Sequence, residues 1–286
     1  MIEQIIGVSH RLIVFYSEKN IMLVSGICKR CLSALGVRQS SNFARKKVYK
    51  DVSVSSLSGS NEFSVRLDER PLRTPLGHDV IVPSEMAANA VAREWSVQDD
   101  EIKPHTMPLT QLVNLAIDQP TKRTDQEIAA DILAYLETDT LRCRVEFPDE
   151  LVALQTKKWD PILKWLEDRF QVQVPSSDNI FDIALPENTV STIAEHLVNL
   201  NKWSRTSLES ATTSSKSFAT AAALLDGHVD VDEAIAISQL ENTFQIDRWG
   251  NVEWAHQYDL VALKSSLASA YLVHTWCGKL PDCPAR

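Results

Sequence analysis

The sequence predicts an α+β protein, with a small N-terminal antiparallel β domain followed by a larger C-terminal all-helical domain. Three observations carry that expectation. Between residues 62 and 82 apolar and polar residues alternate between turn signals. After about residue 106 apolar residues recur at three- and four-residue spacing through long segments. Residues 1–50 are set apart from both by a basic, acid-poor composition.

The strands are Glu62 to Leu67, Leu72 to Thr74 and Asp79 to Val82, separated by the turn sequences Asp68-Glu-Arg-Pro71 and Pro75-Leu-Gly77. Pro83 ends the sheet, and Ser84 is a suitable N-cap for a helix carrying Met86, Ala90, Val91 and Trp95. This β domain with its first helix spans residues 62–105. The helical domain spans 106–280, with segments expected at 108–117, 121–137, 149–170, 187–203, 205–226, 230–248 and 256–276. Pro148, Pro186, Asp226-Gly227 and Trp249-Gly250-Asn251 punctuate them, and 281–286 is a tail. The serine-rich stretch 51–61 reads as a linker.

The formal charge of −9 conceals an asymmetry. Residues 1–50 hold nine Lys and Arg against Glu3 and Glu18; subtracting these from totals of 29 and 38 leaves 20 basic and 36 acidic residues in 51–286, a net of −16. Such a body repels nucleic acid and anionic lipid and suits a protein partner with basic or mixed surface. From Met22 to Lys50 there are seven basic residues, four serines and no acid, interleaved with Leu23, Val24, Ile27, Leu32, Leu35 and Val37. That is the composition of a mitochondrial transit peptide, so 1–50 reads as a leader, with an alternative start at Met22. A basic tail that binds an anion is the competing reading. The apolar runs are too short to span a bilayer, so no membrane insertion is expected.

Chemistry is hard to find. The eight glycines form no phosphate loop and no nucleophile elbow. The six histidines after the leader include no i,i+4 pair, and the single Glu253-x-x-His256 lacks the second motif that a paired-metal bundle needs. Cys28-x-x-Cys31 falls in the leader, and Cys143, Cys277 and Cys283 have no framework spacing. No cofactor or metal is expected. Two acids, Glu241 and Asp139, would be the candidates if this were an enzyme without a motif.

Glu241 stands out because, on a helix through 230–248, it shares a face with Ile237, Leu240 and Phe244. A carboxylate beside an apolar stripe needs a partner. Two readings stay open: a cation of its own fold, such as Arg248 or Lys216, or a bound protein. Among seven tryptophans, Trp249 and Trp254 flank the Gly250-Asn251 break and are candidates for a binding surface, against the commoner fate of tryptophan in a core.

The run from Glu233 to His256, EAIAISQLENTFQIDRWGNVEWAH, followed by Tyr258-Asp259, closely resembles a segment of the F1-ATPase assembly chaperones of the assembly factor 2 type. Further matching runs are Arg70-Pro-Leu-Arg-Thr-Pro75, Val82-Pro83, Glu94-Trp95, Ile102-Lys-Pro104, Met107-Pro-Leu-Thr110, Tyr135-Leu-Glu-Thr-Asp-Thr140 and Trp159-Asp-Pro161. They cover nearly all of 62–276 in order. The resemblance implies a β domain joined to a helical domain and no enzymatic activity or cofactor. It also implies a place in the mitochondrial matrix and a client, the alpha subunit of F1-ATPase, held until assembly. It places the family's notable acid on Glu241 and its helix Glu-Trp pair on Glu94 and Trp95, which are expected to be structural. Asn242 stands where relatives commonly carry a second acid. The alternatives are an adaptor for another matrix complex and, further off, an enzyme using Glu241 and Asp139.

Overall fold

The computed structural model describes residues 45–57, 59, 61–178, 184–250 and 255–278, without the side chains of Arg45, Ala255 and His256. The residues 1–44 of the expected leader, Trp254 and the tail lie outside the described residues. The expected α+β arrangement is present: a short antiparallel sheet near the N-terminus precedes a larger helical part.

The strands are β1 (Arg45–Lys46), β2 (Val52–Ser56), β3 (Phe63–Leu67), β4 (Arg70–Pro71), β5 (Ile81–Val82) and β6 (Glu101–Ile102). β3 is central. It pairs antiparallel with β2, with Val54 opposite Val65, and on its other edge with β4 and β5. Two expectations are corrected here. The stretch 51–61 is no linker, because Val52 and Val54 alternate with serines in a period of two and pair with β3; the serine content disguised a strand. Residues 45–50, assigned by composition to the leader, belong to the fold: β1 pairs with β6, and Tyr49 is 6% exposed.

Helix α1 (Glu85–Ser96) covers the sheet with Ala87, Ala88 and Val91. Ser84 holds the N-cap position, although its hydroxyl makes no cap bond. Then come α2 (Pro108–Asp118), α3 (Asp125–Glu137), α4 (Asp149–Phe170), α5 (Glu187–Asn199), α6 (Lys202–Ser215), α7 (Phe218–Leu225), α8 (Val231–Ser238), α9 (Leu240–Trp249) and α10 (Ala255–Cys277). α10 packs along α6 and reaches α2 and α8. Buried side chains run without interruption from Val65 and Val82 in the sheet, through Val91 and Leu112, to Phe218, Leu224 and Leu267. No described helix is long and apolar enough to cross a membrane.

The helix boundaries differ from expectation where short polar side chains supply caps. The segment 121–137 starts only at Asp125, because Thr124 and Glu127 form a reciprocal capping box. The segment 187–203 stops at Asn199, and Asn201 caps the next helix through the Ser204 N–H at 2.9 Å. The segment 205–226 breaks at Lys216, whose left-handed backbone ends α6 while Ser217 caps α7. The segment 230–248 breaks at Gln239, which separates α8 from α9. This last break matters most, since it frees α9 to follow its own axis.

Candidate functional site

α4 enters from Pro148 with Asp149 and Glu150 in its first turn, where negative charge meets the exposed N–H groups of the helix start. Its buried face presents Leu151, Gln155, Trp159, Ile162 and Leu166. Gln155 is a polar residue at an apolar position, 1% exposed, so its amide requires partners on both ends. Its carbonyl oxygen accepts the Val145 N–H at 3.2 Å, and its amide nitrogen donates to Oε1 of Glu241 at 2.7 Å.

α9 lies antiparallel along the first half of α4. The Trp159 indole donates to the Ile237 carbonyl at 3.1 Å, Gln155 meets Glu241, and Arg248 approaches Glu150 at 3.9 Å. Of the residues of α9 only Leu240 is buried. The helix is therefore an outer element, held by Leu240, by partly buried Phe244 and by the Gln155–Glu241 bond.

Glu241 is half-buried, and burial pushes its carboxyl above the usual range while the Gln155 hydrogen bond pulls the other way. Among the described residues none of the ion pairs involves it. Arg248 is instead placed over the Phe244 ring, 5.7 Å from its centroid, and the carbonyl of Lys216 takes the Thr140 N–H and hydroxyl. Its protein partner is thus a neutral amide. At the other end of α9 Trp249 is 74% exposed and Arg248 approaches Glu150, while Phe147, two residues before α4, is 76% exposed. Trp249 is presented where Gly250, at φ 89°, ends the helix.

Glu94 and Trp95 sit elsewhere, at the end of α1. Glu94 reaches across to the start of α2, where no residue of that helix's own N-terminus makes a side-chain cap. Its Oε1 accepts the Leu109 N–H at 2.9 Å, and its Oε2 accepts both the N–H and the hydroxyl of Thr110 at 2.7 Å. Burial pushes this carboxyl up, against the pull of those three bonds. Trp95 is half-buried on the core and tilts against Tyr49, ring centroids 5.7 Å apart.

Asp139 is fully buried and also serves as a cap: its oxygens accept the Leu141 and Ala219 N–H groups at 2.9 Å, the second at the start of α7. Nearby Arg142, equally buried, donates to the carbonyls of Leu136 and Glu137 at the end of α3. Both groups join secondary-structure ends. A cavity of about 30 Å³ between Phe170, His196, Phe218 and His274 has room for water alone. Among the described residues no cluster of three or more His, Cys, Asp or Glu is arranged to hold a metal ion.

Sequence reasoning singled out Glu241 and Trp249 as candidates and did not single out Gln155, the partner of Glu241, or the exposed Phe147. For Gln155 a signal existed, namely an amide at an apolar-face position four residues from both Leu151 and Trp159. Phe147 carried none, since a phenylalanine before proline says nothing about exposure.

Comparison with known proteins places this geometry among relatives. The family model of the ATP12 chaperone protein matches residues 46–167. "Protein atp12, mitochondrial" of Schizosaccharomyces pombe is 30% identical over 279 residues, covering 92% of this chain and 94% of that one. "Protein ATP12, mitochondrial" of Saccharomyces cerevisiae is 29% identical over 268 residues, covering 79% of this chain and 82% of that one. The crystal structure of Atp12 from Paracoccus denitrificans superposes with a TM-score of 0.71 at 29% identity, over 81% of this chain and 97% of the other.

Proposed function

Because this chain belongs to the ATP12 chaperone protein family, we propose that it works in the mitochondrial matrix as an F1-ATPase assembly chaperone that binds the newly imported alpha subunit. The relatives named mitochondrial support the compartment, as does the acid-free, serine-containing composition of Met22 to Lys50. The observation that carries the client reading is Glu241, a half-buried carboxylate with a neutral amide partner, on an outer helix that ends in exposed Trp249.

A subunit awaiting assembly exposes apolar interfaces that associate with one another. A chaperone that covers one of them must bind it and later release it, which favours a few aromatic anchors and a charge over a wide apolar face. Trp249 and Phe147 are such anchors, and Trp254 is assigned the same role. Glu241 is already partly desolvated, so a cation arriving from the client regains Coulomb energy at reduced further cost. The acidic body, net −16 beyond residue 50, favours the approach of such a segment.

The test is capture from matrix extract on the immobilised protein. Recovery of the alpha subunit is expected. Recovery of a different complex with no alpha subunit would replace this reading with that of an adaptor for the complex recovered.

A further inference from the structure

Residues 45–50 are basic enough to be counted with the leader, yet from 45 to 51 the chain is bonded to the fold at almost every position. β1 pairs Arg45 with Ile102 and Lys46 with Glu101. Next, the Lys47 N–H donates to the Asp100 carbonyl at 2.9 Å. Its ammonium donates to the carbonyl of buried Gln98 at 2.8 Å and stands 5.1 Å from the Tyr49 ring. Tyr49 is 6% exposed, packs on Trp95, and donates its hydroxyl to the Trp95 carbonyl at 2.7 Å. The Lys50 and Asp51 N–H groups both donate to Oδ1 of Asp68, at 3.0 and 2.9 Å.

All but the last pair of these bonds converge on the segment from Trp95 to Ile102, directly after Glu94, which caps α2 from the preceding position. The segment therefore fastens the end of α1 and the chain beyond it. Cutting inside 45–51 would discard the pairing partner of β6 and, if Tyr49 were removed, the ring and hydroxyl contacts that hold the end of α1.

We propose that leader removal, a hydrolysis in which water supplies hydroxyl to the carbonyl carbon and a proton to the amine, occurs on the N-terminal side of Arg45. The mature protein then retains 45–51 as a staple on the end of α1. This rests on the import reading above. It also gives Lys47 and Tyr49 a structural task where composition alone gave them an import task.

The experiment has two arms. The protein is isolated from mitochondria and its first residue is identified by mass spectrometry, and Tyr49→Ala and Tyr49→Phe are made in the full chain and melted. The first residue is expected at Arg45 or earlier. Tyr49→Ala should lower Tm by roughly 5–10 °C and Tyr49→Phe, which loses only the hydroxyl bond, by roughly 2–4 °C, at about 2–4 °C per kcal/mol for a chain of this size. A mature protein beginning at Lys46 or later overturns the proposal, as does an unchanged Tm in both variants. An uncut chain inside mitochondria overturns it while leaving import intact. A chain excluded from mitochondria removes import and, with it, the cut.

Discussion

Glu94 offers the sharpest test of the fold, because a single side chain on α1 supplies the cap that α2 lacks. In Glu94→Ala three donors lose their acceptor together: the Leu109 N–H, the Thr110 N–H and the Thr110 hydroxyl. Thr110 is 4% exposed, so its hydroxyl adds to the loss, and the two backbone groups set the lower bound of the cost. Loss of an N-cap typically costs about 1 kcal/mol and a buried unmade bond about 1–3 kcal/mol, which puts this half-buried pair at about 2–3 kcal/mol. At about 2–4 °C per kcal/mol, Tm should fall by roughly 5–10 °C. Glu94→Gln should lose about half as much in kcal/mol, since its amide oxygen can still serve Thr110 while the burial of a charge is relieved. The assay is urea unfolding at constant m, with hydrogen exchange at the Leu109 and Thr110 amides. A Glu94→Ala protein within about 0.5 kcal/mol of wild type, the range of an ordinary surface substitution, would refute the cap. So would unchanged exchange at both amides.

Other expectations follow from the same geometry. Trp95→Arg should destabilise by about 3 kcal/mol or more, because it loses the ring against Tyr49 and sets a charge on the core; a soluble variant with unchanged Tm would place Trp95 wrongly. For Glu241, whose folded carboxyl is raised above its ordinary value near 4.5, the native state holds more protons than the unfolded chain within that window. Its contribution is thus fully present below the unfolded value and lost as pH rises through the folded one. Relative to wild type, Glu241→Gln should therefore gain stability from pH 4 to 7 in parallel urea titrations, and a relative loss over that range would reverse the sign. Trp249→Ala should leave stability within about 0.5 kcal/mol but weaken client capture by about 2 kcal/mol or more if it is an anchor, which competition binding would measure.

The legible part of the fold was whatever rests on periodicity. Alternation gave β3, and three- and four-residue spacing gave the long helices, with α4 (149–170) placed to the residue. Illegible were features decided by partners distant in sequence. β2 hid among serines because its evidence is the β3 strand opposite it. The end of α6 at Lys216 depends on a left-handed residue whose carbonyl is taken by Thr140, 76 residues away. At the candidate site, Glu241 was visible as an acid on an apolar face. Its actual partner, Gln155, was not, because an amide 86 residues earlier carries no charge to suggest a pairing. Glu94 came from family resemblance alone, Trp95 also from its place on the first helix, and the structure supplies their physical content, a cap and an aromatic contact.

The claim most in need of a direct measurement is that the surface around Glu241 holds the alpha subunit. Purified alpha subunit is diluted from denaturant into buffer with wild-type or Glu241→Gln protein, and light scattering is followed at a pH where the two chaperones melt alike. Wild type should suppress aggregation at near-stoichiometric ratio. The variant should need at least about tenfold more protein, equivalent to about 1.4 kcal/mol of lost affinity. Equal suppression by the two proteins would remove Glu241 from the client surface, and no suppression by wild type would contradict the chaperone reading itself.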